Sequence, residues 1–276
     1  MHIEEQASSS LEPLKIFVHS PKAAGSSFND QLLRHYGQLH SPKKWSLVST
    51  ILPIAAIENP VIGRWLARNM AAGCSHIEIY RNKAQVYQRI IEQSIWVSGH
   101  VRSMHFEQQL AASNRPFELF ALVRDPTEQI ASHYQWWIEI HDRGPLRFYR
   151  YSAFFRQLSH RIRHTNNSDP AEIIPILRLH HTLFLNMQSD YILRGGAQNS
   201  PAPEPADLAR FTSIKPCANS NELFASMTGE APSQTRRQNK SRSSFDRSVF
   251  YTDQMQSFLQ EYHTKDFALY DLVMNQ

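Results

Sequence analysis

Leu14-Lys15-Ile16-Phe17-Val18-His19-Ser20-Pro21-Lys22-Ala23-Ala24-Gly25-Ser26-Ser27 carries the reading from which the rest of the chain is organised. Residues 14–19 are a short β-branched and aromatic run, the pattern of a buried strand. After the loop, Phe28, Leu32, Leu33 and Tyr36 recur at helical spacing. The unit is therefore a strand, a tight loop and a helix. Further along, residues 117–123 (Phe-Glu-Leu-Phe-Ala-Leu-Val) predict the strongest strand after the first, ended by Arg124-Asp125-Pro126. Pro126 suits the first turn of a helix running to about Ile140, because that turn needs no N–H from it. Residues 95–98 predict another strand ending at Gly99-His100, and 107–112 a helix. Residues 54–70 and 84–93 read as two more helices.

Strands that alternate with helices imply a parallel sheet with right-handed crossovers. From Ser152 onward the pattern is mostly helical, with loop or linker at 195–205, a polar segment at 235–247, and closing helices at 252–263 and 266–274. The expected architecture is α/β: a central parallel sheet flanked by helices, with a helical C-terminal part. It predicts one domain over residues 14–276 behind a disordered N-terminus, 1–13.

Charged residues at 20% and hydrophobic residues at 41% are ordinary globular values and exclude disorder along the whole length. Cys74 and Cys217 lie far apart without a CxxC partner, which argues against a disulfide framework and a Cys-type zinc site. The first ten residues lack a basic start and an apolar run, so no secretory leader is expected. No apolar stretch approaches the ~20 residues of a spanning helix, and a soluble, cytoplasmic protein is expected.

The loop after the first strand has the residues of an anion cradle. Small residues at a helix N-terminus let an anion approach backbone N–H groups, Lys22 adds positive charge, and Ser26 and Ser27 add hydroxyl donors. It is not the common nucleotide loop, in which Lys directly follows the last Gly, since Lys22 precedes Gly25 by three. Arg124 stands at the C-terminal end of a predicted central strand, where open α/β sheets bind ligands. Ser132, about two turns into the next helix, faces the same crevice on this reading. An Arg and a Ser there suit a second phosphate.

Pro21-Lys22-x-x-Gly25-Ser26-Ser27, followed about a hundred residues later by Arg124-Asp125-Pro126 and Ser132-x-Tyr134, resembles the sulfotransferases that use 3′-phosphoadenosine 5′-phosphosulfate (PAPS). Within them it is most similar to the carbohydrate type, the group of heparan sulfate 2-O-sulfotransferase and its bacterial relatives. The resemblance implies Lys22, Ala23, Ala24, Gly25, Ser26 and Ser27, a P-loop-like stretch, at the 5′-phosphosulfate, and Arg124 with Ser132 at the 3′-phosphate. Ala23 departs from a frequent Thr of that family, and Gln129 from a common Arg. Weaker blocks, 186–193, 239–242 and 266–270, bring the resemblance to about half the chain, in scattered pieces.

Sulfuryl transfer needs an acceptor hydroxyl that loses a proton and a leaving phosphate whose charge is stabilised, much as phosphoryl transfer does. Lys22 suits the second task. A histidine suits the first, and His100, in a Gly-His setting similar to the family's, is the expected base, with His105 and His19 as competitors. The segment 235–247 holds Arg236, Arg237, Lys240, Arg242 and Arg247 against Asp246, an excess as large as the +4 of the whole chain. By resemblance Lys240 and Arg242 are expected to close over the 3′-phosphate.

No metal site is expected. His160 and His164 share a helix face at i, i+4, yet no H-E-x-x-H and no third ligand accompany them. The expected activity is transfer of a sulfuryl group from PAPS to a hydroxyl of a carbohydrate or other acceptor, leaving 3′-phosphoadenosine 5′-phosphate (PAP). A kinase-like phosphoryl transferase is the first alternative, although the Walker-type Lys is missing. A non-catalytic nucleotide-binding protein is the second. Nucleic acid is not an expected partner, because no aromatic platform or helix-turn-helix accompanies the basic segment.

Overall fold

A computed structural model describes residues 12–36, 95–99, 102–111, 115–142, 148, 151, 153–194, 196, 201–232 and 245–276. The helices expected at 54–70 and 84–93 lie outside them. Four strands, β1 (Leu14–Val18), β2 (Trp96–Gly99), β3 (Phe117–Val123) and β4 (Ser213–Pro216), form a sheet in the order β2-β1-β3-β4. All neighbours are parallel, with Val18 opposite both Gly99 and Ala121, and Val123 opposite Pro216. The chain passes from β1 to β2 on one side and then to β3 on the other. The C-terminal ends of β1 and β3 therefore flank a switch point, the place where open parallel sheets form a ligand crevice.

Alternation along the strands separates two cores. Phe17, Phe120 and Leu122 pack with Phe28 and Leu32 of α1 (Gly25–Tyr36) and with Leu223, Phe224 and Met227 of α9 (Ser220–Thr228). On the other face Leu14, Ile16 and Val18, with Leu119, Ala121 and Val123, meet Leu110 of α2 (Ser103–Leu110) and Ile192 of α7 (Met187–Ile192). Leu269 and Val273 of the last helix, α11 (Thr264–Met274), close that face. Helices thus lie on both faces of the sheet, as the parallel reading requires.

A third core joins α3 (Pro126–Asp142) to α4 (Ala153–Arg163), α5 (Pro170–Leu179) and α10 (Asp253–Tyr262) through Tyr134, Trp137, Ile162, Ile173 and Phe258. It anchors the helix that leaves β3, and so the back of the crevice. Three short helices complete the described chain: α6 (His181–Phe184), α8 (Pro205–Leu208) and the 3-10 turn Arg247–Tyr251. A second 3-10 turn, Cys217–Asn219, leads from β4 into α9.

Strand β4 is one element that the mostly helical pattern expected from Ser152 onward did not include. Ser213-Ile214-Lys215-Pro216 has one apolar aliphatic residue and a proline, so no alternation announces it. Only β3 pairs with it among the described residues, and Pro216, which has no N–H to give, ends it. The pairing is a tertiary effect that local pattern does not carry. The closing helices, the helix after Pro126 and the first three strands lie where the sequence predicts them, and α2 begins at Ser103 instead of 107. No described helix is long and apolar enough to cross a membrane.

Candidate functional site

The two motifs singled out in the sequence are bonded to each other across the switch point. Arg124 Nη1 donates to the carbonyl of Lys22 at 3.2 Å, and Gln129 Nε2 donates to the carbonyl of Pro21 at 2.9 Å. Gln129, which stands where a cation is expected, therefore holds the loop through its amide. Arg124 also pairs through Nε with Glu128 Oε2 at 3.0 Å, one turn along α3. Its backbone is gripped by Gln188, whose Oε1 accepts from Arg124 N at 2.7 Å while Nε2 donates to Arg124 O at 2.8 Å.

Between β1 and α1 the loop turns tightly. Ala23 N donates to Ser20 O at 3.4 Å, and Ala24 O accepts from Ser27 N at 3.1 Å and Phe28 N at 3.2 Å. Lys22 (φ 65°) and Ala24 (φ 55°) are both left-handed without being glycine. Each such residue costs about 1–2 kcal/mol. Burial of Phe28 and Leu32 against the sheet, at roughly 1.5–3 kcal/mol apiece, offsets that cost. Ala23 is buried and Ala24 exposed, so the methyl of one packs inward while the other faces out. Lys22 and Ser27 are half-buried.

Gly25 has a reason that the sequence did not suggest. A Cβ there would come within 1.9 Å of His19 Cδ2, so the imidazole at the end of β1 lies directly on the glycine. His19 is 8% exposed, stacks on Phe17 with ring centroids 5.9 Å apart, and has Nδ1 3.4 Å from Asn29 Nδ2. The absent side chain makes room for a ring of the protein itself.

On the far side, Arg247 Nε donates to Gln135 Oε1 at 2.5 Å. Burial, followed by the positive charge of Arg124, lowers the pKa of Arg247, while Glu139 and Glu128 act the other way. The charge of Arg124 thus bears on Arg247, which is held at Gln135 on α3. Tyr251, on the same 3-10 turn, has its phenol raised by burial and by Glu128 and Asp125. Ser132 is half-exposed on α3, one turn beyond Glu128. Cys217, next after β4, is pushed up to about 12 by burial, so it stays a thiol at neutral pH.

Lys22, Ala23, Ala24, Gly25, Ser27, Arg124 and Ser132 all stand at the C-terminal edge of the sheet or on the helices that leave it. Ser26 is in the first turn of α1. His100, Lys240 and Arg242 lie outside the described residues; β2 ends at Gly99, beside Val18. His105 is in α2. The sequence reading missed Gln188 and Gln129 as ties, and it counted Arg247 only as part of a basic run. Glutamine amides give no spacing signal, and Arg247 reaches Gln135 of α3 only through tertiary packing. His160 and His164 have ring centroids 4.3 Å apart, and among the described residues no group of three His, Cys, Asp or Glu is arranged to hold a metal. Comparison with known protein families, curated proteins and solved structures finds no match for the chain.

Proposed function

We propose that the chain is a sulfotransferase that moves a sulfuryl group from PAPS to an acceptor hydroxyl, most simply one on a carbohydrate. The observation that supports this reading is the bond from Arg124 to the Lys22 carbonyl, which joins the loop after β1 to the end of β3 at one sheet edge. Alternating φ at residues 22–24, positive at Lys22 and Ala24 only, supports an anion cradle of the kind that successive backbone N–H groups form. The two guanidinium groups of Arg124 and Arg247 supply the charge a 3′-phosphate requires.

In this reading the 5′-phosphosulfate lies along residues 22–27, with Lys22 near the bridging oxygen. The acceptor oxygen attacks sulfur in line, the sulfur–oxygen bond to the phosphate breaks, and His100 takes the acceptor's proton. Charge that develops on the leaving phosphate is met by Lys22 and by the helix N-terminus. The products are a sulfate ester and PAP. Arg124 and Ser132 hold the 3′-phosphate, Arg247 adds to that charge, and Lys240 and Arg242 close over it.

Calorimetric titration with PAP tests the reading. Saturable one-to-one binding that weakens with added salt is the expected result. Failure to bind PAP, or equal preference for ATP, would overturn it in favour of another nucleotide or none.

A further inference from the structure

Gln188 meets a specific need at the end of β3. The β3–β4 ladder stops at Val123 opposite Pro216, so Arg124 is the first residue past the last strand pair. Its backbone N–H and C=O both point at one fully buried primary amide, which supplies an acceptor at 2.7 Å and a donor at 2.8 Å. The side chain replaces a missing strand neighbour at a single residue.

The amide is itself held from behind. Gln188 N and Ser189 N, in the first turn of α7, donate to Asp266 Oδ2 at 3.2 Å and Oδ1 at 2.8 Å. Asp266 N donates to Asn186 Oδ1 at 3.2 Å, and Asn186 N donates to His263 Nδ1 at 3.3 Å. Asn186 is left-handed, with φ 47°. All five polar residues are buried, from 0% to 7% exposed. A buried polar cluster of this kind is stable only when its members are bonded to one another, and it then allows a single arrangement. The arrangement is transmitted to Arg124, whose guanidinium spans the Lys22 carbonyl and Glu128.

We propose that Gln188 is a positioning residue that fixes the Arg124 backbone, and through it the guanidinium, for the 3′-phosphate of the bound nucleotide. The inference rests on the nucleotide reading above. Gln188 touches no ligand in this role. It removes conformations of Arg124 that would otherwise be lost on binding.

The test compares two ligands in calorimetry, PAP and adenosine 5′-phosphosulfate, which lacks the 3′-phosphate. Gln188→Met keeps length and burial but removes both bonds; it is expected to weaken PAP roughly tenfold, a misplacement effect, and adenosine 5′-phosphosulfate less than twofold. A role in stability alone would lower both or neither. Gln188→Glu gives a second handle, because a neutral carboxylic acid offers one donor and one acceptor whereas a carboxylate cannot donate. Its preference for PAP should recover as pH falls. Among the described residues Arg124 and Asp266 bond to Gln188, and His263, through Asn186, and Asp190 act on Asp266 behind it; the wild-type titration over the same pH range accounts for them. No PAP binding by the wild type overturns the nucleotide reading and this inference together. Wild-type binding with an unchanged ligand ratio in folded Gln188→Met overturns the clamp alone. If Gln188→Met does not fold, a pH-independent ratio in Gln188→Glu overturns it instead.

Discussion

The imidazole of His19 occupies the space that a side chain at residue 25 would need, with Cδ2 1.9 Å from the position of a Cβ. Gly25 is not among the residues with positive φ, so backbone conformation does not demand glycine here. The ring does. It is held between Phe17 and the start of α1 and has little room to yield. Gly25→Ala should therefore destabilise the fold by about 1–3 kcal/mol, the range for overpacking. In a His19→Ala background the same change should be neutral or stabilising by up to about 1 kcal/mol, since alanine is the better helix former. Urea unfolding of the two single variants and the double variant measures the coupling. Additive effects would mean that the ring and the glycine do not meet.

Ala24 presents the opposite case. It has φ 55° and is exposed, so a glycine there would relieve about 1–2 kcal/mol of backbone strain without removing a packed side chain. The extra freedom of glycine in the unfolded chain returns about 0.4–1 kcal/mol of that. Ala24→Gly should thus stabilise by up to about 1.6 kcal/mol, read as a higher urea midpoint at constant slope. A loss of stability would show that the left-handed turn is not strained.

Strands β1 and β3, the helices that follow them and the two closing helices were legible because apolar spacing and Pro126 declare them locally. The crevice followed from the alternation of strands and helices, and Lys22 and Arg124, which the fold bonds to each other, were singled out because charged residues stand at strand ends there. What escaped is tertiary. β4 has no alternation of its own, Gln188 reaches Arg124 from 64 residues away, and Arg247 comes to α3 from 112 residues away at Gln135. Gly25 stood out only as a small residue of the loop; the close approach of the His19 ring to it is tertiary and left no local signal.

Lys22 and His100 have separable roles in the proposed transfer. Lys22→Ala should lower the rate with PAPS by two orders of magnitude or more, the scale for loss of one preorganised charge-stabilising group. The fold should persist, as Lys22 contributes a left-handed backbone and a half-buried side chain. His100→Ala should remove turnover and leave PAP affinity within about twofold, because a base acts on the acceptor's proton and not on the bound nucleotide. Inactivation by His105→Ala with His100→Ala active would transfer the role.

Arg124 and Arg247 should act on the same ligand charge. Each alanine substitution is expected to weaken PAP about tenfold, or ~1.4 kcal/mol, and to reduce the dependence of binding on salt. Adenosine 5′-phosphosulfate should be affected much less. Equal losses for both ligands would mean that neither guanidinium reads the 3′-phosphate.

Asp266 and His263 give the fold a pH dependence that is hidden by cancellation. Burial raises Asp266 from 3.8 to about 6, against the bonds from Ser189 and Gln188 that favour its charged form. In that window the folded chain holds a proton that the unfolded chain has lost, so the Asp266 contribution is full below pH 4 and disappears as pH rises to 6. Burial lowers His263 from 6.5 to about 4, so between those values the unfolded chain holds the extra proton. Its contribution is therefore full above pH 6.5 and is lost as pH falls to 4. Each slope is at most about 1.4 kcal/mol per pH unit, and the two have opposite sign over nearly the same range. Asp266→Asn should leave the His263 slope, with stability rising relative to wild type from pH 4 to 6. His263→Asn, which keeps an oxygen near the former Nδ1, should show the reverse, with stability falling over that range. Urea unfolding at half-unit pH steps decides the matter; differences from wild type that do not change with pH in either variant would mean that these buried groups do not titrate with the fold.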